Sequence, residues 1–253
     1  MKRKVVVLSS ILLFVCTFLT GCVSQQQRAF DTVKLKTHSA VTPESRDIER
    51  PWGTWMGRHE SFNRRVQQGN VDIIFVGDSI THRWETDGKN VWQKYYKNRN
   101  AVNLGIGGDR TQHVLWRLDH GNIDGISPKV AVVMIGTNNH PPNNTPEEIA
   151  DGIIAICAKL REKLPDTKIL LLGIFPRGEK PNEWRSQLAE TSKMASKIAD
   201  GKTIYYLDIG DKFLEPDGSI SKDIMYDYLH LTEKGYEIWA EAMEPTLTEL
   251  MKE

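Results

Sequence analysis

The chain is short of several things, and each shortage removes a class of protein. There are only three cysteines in 253 residues, at positions 16, 22 and 157. With no CxxC or comparable spacing, neither a disulfide framework nor a cysteine-bound zinc site can be read from them. No HExxH pattern joins His82, His113, His120 and His140, so packing or surface roles are expected for these and no metal site. Charge of one sign is also lacking: 33 basic residues balance 33 acidic ones, which gives no electrostatic footprint for nucleic acid. Repeats and low-complexity tracts are missing. At 40% hydrophobic and 26% charged the composition is that of an ordinary globular chain.

Only one long apolar run is present. Val5 to Phe18 follows a basic stretch, Lys2-Arg3-Lys4, and has the length of a signal-peptide core, not of a membrane span. It ends in Leu19-Thr20-Gly21-Cys22, which resembles the lipobox of bacterial lipoproteins. The reading that follows is a signal peptide over residues 1–21 and a lipidated Cys22 that holds the mature chain at a membrane surface. The alternatives are a plain secretory signal or an uncleaved anchor. Residues 22–50, with Gln25-Gln26-Gln27 and no clear periodicity, read as a flexible tether. Removal of the signal leaves Cys157 alone in an apolar helical pattern (Ile153, Ile156, Leu160), as a buried structural thiol.

Residues 51–253 form the expected domain. A helical pattern from Trp55 to Val66 leads into Val71-Asp72-Ile73-Ile74-Phe75-Val76-Gly77, whose apolar run is of the kind that is covered on both faces in a parallel sheet. Four more strands are expected, at Ala101 to Leu104, Val130 to Ile135, Lys168 to Ile174 and Thr203 to Leu207. Helices alternate with them, the clearest beginning at Thr145-Pro146-Glu147-Glu148, with a capping threonine, proline at the first position and acids in the first turn. A closing helix runs from Thr232 to Met251. Strands joined by helical crossovers predict a three-layer α/β/α domain whose five-stranded parallel sheet has the flavodoxin-like order 2-1-3-4-5. Ligands bind such sheets at the carboxyl ends of the strands.

Polar residues capable of hydrolytic chemistry stand at those ends. Gly77-Asp78-Ser79 closes the first strand, Gly107-Gly108-Asp109 follows the second, and Gly136-Thr137-Asn138-Asn139 follows the third. Asp227-Tyr228-Leu229-His230 precedes the last helix. Ester hydrolysis by a serine needs a base, a group that orients the base, and donors for the developing oxyanion. Ser79 suits the nucleophile, His230 the base and Asp227 its orienting carboxylate. The N–H groups of Ser79 and Gly108 and the side-chain amide of Asn138 suit the oxyanion donors. Each piece also has an ordinary reading as a turn, a cap or surface polarity. Gly105, Gly107 and Gly108 lack the third glycine of a dinucleotide loop, and Arg177 reads equally as a substrate contact or part of a turn.

Taken in order, these four blocks resemble the SGNH (GDSL-type) hydrolases. Asn103 to Asp109, His113 to Leu118, Gly136 to His140 and Pro176 to Asn182 look like the catalytic subunits of intracellular platelet-activating-factor acetylhydrolases, over roughly Trp52 to Met251. The resemblance implies a triad of Ser79, Asp227 and His230, an oxyanion hole of Ser79, Gly108 and Asn138, and a short acyl pocket lined by Ile80, Thr137 and Leu229. It implies no cofactor and permits a homodimer. The expectation is an acetylesterase-like enzyme of the bacterial cell envelope, periplasmic or surface-exposed, acting on an acetylated carbohydrate or small ester. Its rivals are a lysophospholipase at the anchoring membrane and a glycan-binding lipoprotein without turnover.

Overall fold

The computed structural model describes residues 24–51, 53–140 and 143–252. The expected signal peptide and the lipidation at Cys22 lie outside the described residues. Five strands form one parallel sheet: β1 (Ile73–Gly77), β2 (Ala101–Gly105), β3 (Val130–Met134), β4 (Lys168–Leu172) and β5 (Ile204–Leu207). Their spatial order is β2-β1-β3-β4-β5, the order that the alternation of strands and helices predicts. In register, Gly77 of β1 lies between Gly105 of β2 and Met134 of β3. The polar segments that follow these three strands therefore emerge side by side.

Alternation along β1 divides the interior into two layers. Ile74 and Val76 pack with α2 (Trp55–Val66), α5 (Thr111–Asp119), α6 (Pro146–Lys163) and α7 (Glu183–Ala195). Ile73 and Phe75 face the other way, into an aromatic layer with Trp84, Tyr96, Tyr236 and Trp239 under α4 (Lys89–Tyr95) and α8 (Glu233–Met251). The start of α6 is set by a reciprocal cap: Thr145 Oγ1 accepts the Glu148 N–H while Glu148 accepts the Thr145 N–H. That closes two of the donors every helix leaves open at its first turn. Cys157 on α6 is fully buried and free, and burial pushes its thiol up to about 12. No helix of the described residues is long and apolar enough to cross a membrane.

The expected tether is corrected by the structure, which folds it onto the domain from Ser24 onward. Ser24 caps α1 (Gln25–Val33), accepting the Gln27 N–H at 3.1 Å. Phe30 and Val33 are buried, and the Gln26 amide donates to the Ile198 carbonyl at 3.0 Å. Beyond α1 the chain stays attached, with Thr111 Oγ1 donating to the Ala40 carbonyl and the Glu44 N–H to the Gln112 carbonyl. A two-residue antiparallel pair, Glu49–Arg50 with Gly53–Thr54, then leads to α2. A helix of nine residues that buries one narrow stripe has too few apolar positions to show a period. Its polar face is what the glutamine run displays.

Candidate active site

At the end of β1 the chain reverses into a four-residue helix, α3 (Ser79–His82). This reversal needs Gly77, because a side chain there would lie 2.1 Å from Thr81 Oγ1 and 2.5 Å from the Met134 carbonyl. Asp78 caps α3 through the Ile80 N–H at 3.0 Å. It is fully buried, and burial raises its pKa to about 7, with Asp109 nearby adding to the effect. From α8, the Tyr236 hydroxyl donates to the Ile80 carbonyl at 2.6 Å. Ser79 is thus presented by a short helix pinned through both backbone groups of Ile80.

His230 stands opposite. Its Nε2 lies 2.9 Å from Ser79 Oγ, and its Nδ1 lies 2.6 Å from Asp227 Oδ2. The other carboxylate oxygen of Asp227 accepts the N–H groups of His230 (2.7 Å) and Leu229 (3.1 Å). This tight return of the chain places Tyr228 in the left-handed region, φ 60°, an uncommon conformation for a bulky residue. Partial burial works to raise the pKa of Asp227, but the His230 N–H, the imidazole and the Leu229 N–H outweigh it and hold the carboxyl below its usual value. A hydroxyl bonded to an imidazole that a carboxylate orients can be deprotonated as it attacks an acyl carbon.

The segment after β2 carries the glycines. Gly108 has φ +78°, a conformation that glycine adopts without strain. Arg46, from the folded N-terminal segment, donates to the Gly108 carbonyl at 2.6 Å. The next residue, Asp109, is buried beneath: it accepts from Trp55 Nε1 at 2.6 Å and from Arg117 Nε at 2.9 Å. Arg117 is buried as well and reaches Asn122 Oδ1 at 2.8 Å. Burial pushes the pKa of Asp109 up and Arg117 opposes that shift. An ion pair so enclosed fixes the floor of the loop, since breaking it would leave a charge without a partner.

After β3, the Asn138 amide donates to the Asp109 carbonyl at 3.0 Å, which joins the second and third loops and leaves its other hydrogen uncommitted in that bond. Asn139 behind it is fully buried and bonds Thr111 and Gln112. Arg177 donates to Thr137 Oγ1 at 3.1 Å and lies 3.7 Å from the Trp184 ring centre. Its guanidinium thus braces the third loop.

A cavity of about 200 Å³ opens at Ser79, lined by Ser79, His82, Arg83, Thr86 and Gly107. The expected acyl-pocket residues are elsewhere. Ile80 packs in the aromatic layer, Thr137 is buried under Arg177, and Leu229 packs partly buried against the same layer. The lining comes instead from α3, the turn after it and Gly107 of the second loop, because the four-residue helix turns Ile80 inward and His82 toward that loop. His120 stacks on Trp116 and His140 lies against Trp184, and the described residues hold no group of three or more His, Cys, Asp or Glu placed to bind a metal ion. Sequence reasoning set aside His82 and did not weigh Arg46. The signal for His82 was its place one helical turn after Ser79; Arg46 left none, since its partner is a backbone carbonyl.

Comparison with known proteins bears on this geometry. Residues 75–238 match the GDSL-like Lipase/Acylhydrolase family. The platelet-activating factor acetylhydrolase IB subunit alpha2 of Rattus norvegicus is 39% identical over 219 residues, which cover 85% of this chain and 92% of that one. Among solved structures, a Streptococcus pneumonia protein described as a platelet activating factor superposes with a TM-score of 0.65 at 21% identity, covering 76% of this chain and 92% of its own. An acetyl-xylooligosaccharide esterase from Geobacillus does so with a TM-score of 0.55 at 18% identity, covering 72% and 94%. These two likenesses show the fold. With the family matched across the strand ends described above and a relative this similar along most of its length, the chain belongs to the GDSL-like Lipase/Acylhydrolase family and is a carboxylic ester hydrolase.

Proposed function

We propose that Ser79, His230 and Asp227 are the catalytic residues and that the enzyme removes short acyl groups, acetyl first among them, from an acetylated carbohydrate or small ester. The observation that carries this reading is the continuous hydrogen-bonded line from Ser79 Oγ through His230 to Asp227, 2.9 Å and 2.6 Å long. His230 takes the hydroxyl proton as Ser79 attacks the acyl carbon, then returns it to the departing alcohol. Water, activated by the same imidazole, releases the acid from the acyl-enzyme. The oxyanion of each step is met by the N–H groups of Ser79 and Gly108 and by the Asn138 amide, donors that are worth most where they are already in place.

Preference for a short acyl group is supported by the cavity at Ser79. Its volume of about 200 Å³ is below the roughly 300–1,000 Å³ of pockets for drug-sized ligands. The names of two similar proteins, an acetylhydrolase and an acetyl-xylooligosaccharide esterase, point the same way. The proposed setting is the bacterial cell envelope, with the domain held through a lipidated Cys22, and it rests on the signal-like residues 1–22. A carbohydrate ester suits that setting better than an intracellular phospholipid does.

The test is turnover of p-nitrophenyl acetate, butyrate and octanoate by the chain from Val23 onward, beside Ser79→Ala. Acetate should be the best substrate, and the variant should retain less than about one part in 10⁴ of kcat. Octanoate outpacing acetate would refute the short pocket. Turnover surviving in Ser79→Ala would refute the assigned nucleophile.

A further inference from the structure

Two consecutive glycines, Gly107 and Gly108, carry the loop that the proposed mechanism uses as an oxyanion donor, and glycine pairs are the least constrained backbone a chain can have. A donor is effective only if it is fixed before charge develops. Something other than the local backbone must therefore hold this peptide. One backbone bond helps, from the Asp109 N–H to the Ile106 carbonyl at 3.1 Å, but it spans the glycines and bonds neither of them.

The missing restraint on Gly107 comes from α3. His82 lies one turn after Ser79 on that helix, and its Nδ1 is 3.3 Å from the Gly107 nitrogen, accepting the N–H. The backbone that carries the ring is itself held. The His82 carbonyl accepts the Asn103 amide at 3.2 Å, and the Asn103 side chain in turn accepts the Gly105 N–H at 2.9 Å. A side chain on Gly105 would lie 2.4 Å from the His82 nitrogen, so α3 and the end of β2 are in direct backbone contact. His82 and Gly107 also both line the cavity at Ser79. An imidazole that accepts at Nδ1 must be neutral with its proton on Nε2. Its surroundings keep it so: burial lowers its pKa to about 3, and the charges of Arg58 and Arg83 add to that.

We infer that His82 is a positioning residue for ester hydrolysis: it locks the Gly107 peptide so that the adjoining Gly108 N–H is aimed at the oxyanion, and so couples the helix bearing Ser79 to the loop bearing the donor. The inference rests on the proposed role of Gly108. It separates His82 from His120 and His140. His120 and His140 pack on tryptophans, whereas His82 binds the backbone of the loop itself.

The experiment compares His82→Phe, which keeps a flat ring without an acceptor, with His82→Asn, whose Oδ1 can take the place of Nδ1. Steady-state kinetics on p-nitrophenyl acetate would be measured with thermal unfolding and circular dichroism as controls for folding. His82→Phe should lose about 10- to 100-fold in kcat with KM within about threefold, and His82→Asn should recover most of that loss. Equal losses in both variants, or a loss confined to KM, would overturn the inference, as would a folded His82→Phe with wild-type kcat. If His82→Phe does not fold, His82→Asn and His82→Gln decide the matter, because Gln cannot place its oxygen at the Nδ1 position and should be the slower enzyme. Wild-type activity that Ser79→Ala abolishes would leave the proposed function standing whatever His82 shows. An inactive wild type would instead refute that function.

Discussion

The molecule contains two aspartate–histidine pairs of nearly equal sequence spacing, Asp227 with His230 and Asp109 with His113, and they have opposite characters. In the first pair the carboxylate holds the imidazole at 2.6 Å, and the imidazole faces Ser79. In the second the two side chains approach only to 3.9 Å. There Asp109 gives its oxygens to Trp55 and Arg117, while His113 Nδ1 accepts the N–H of Arg110 at 2.9 Å. Burial, helped by Arg46, Arg110 and Arg117, lowers the His113 pKa to about 3. A neighbouring carboxylate therefore does not by itself make a histidine a base. What decides is whether the carboxylate is already spent on another cation and whether a ring nitrogen meets a hydroxyl or a backbone N–H.

The largest expected effect tests the first pair. Asp227→Asn should lower kcat by about 10⁴ by favouring the wrong imidazole tautomer, with little change in melting temperature, and kinetics beside thermal unfolding will show whether both hold. A variant that is unfolded and not merely slow would mean that Asp227 is mainly structural. Asp109→Asn should do the reverse. Leaving Arg117 buried without its counter-ion costs roughly 3–5 kcal/mol, or roughly 6–20 °C in Tm for a domain of this size. An unchanged Tm would show that the pair is not held as an ion pair.

The smallest effect is a pH dependence. His59, His82 and His113 have folded pKa values of about 4, 3 and 3, below the roughly 6.5 of an unfolded histidine. Between those limits the unfolded chain binds protons that the folded one refuses, so stability falls as pH drops from about 6.5 toward 4. Asp78, raised to about 7, acts in the opposite sense: between its ordinary value and 7 the folded state holds the extra proton, and stability falls as pH rises. Asp109, also raised, sides with Asp78, while Asp200 and Asp227, held low, side with the histidines, which leaves acid as the destabilising direction. His113→Asn should flatten the slope by on the order of 1 kcal/mol per pH unit and leave kcat within about threefold. Chemical denaturation at pH 7, 6 and 5 measures this, and parallel curves for the two proteins would show that His113 takes up its proton equally in the folded and unfolded chain.

How far the sequence could be read follows from where each restraint lies. The five strands were legible because each is a continuous apolar run, and α6 because its capping residues sit in the chain beside the helix they cap. Ser79, Asp227 and His230 were legible as polar residues at places where apolar patterns stop. The folded N-terminal segment was not: α1 is held by Phe30, Val33 and one glutamine amide, too sparse a pattern to show a period. Arg46 was illegible for another reason, and His82 showed only its place one turn after Ser79. Both bind the backbone of a glycine, and a backbone group has no identity in a sequence.

The cap at Ser24 also bears on how far the enzyme could range. Only Val23 separates it from Cys22, and two residue steps of fully extended chain span about 7 Å. If Cys22 carries the lipid, the catalytic domain has almost no leash. It would skim the bilayer with a restricted set of orientations, and its esters would have to be brought to that surface. Inserting a run of glycine and serine between Cys22 and Ser24 would widen the shell it patrols without touching the chemistry.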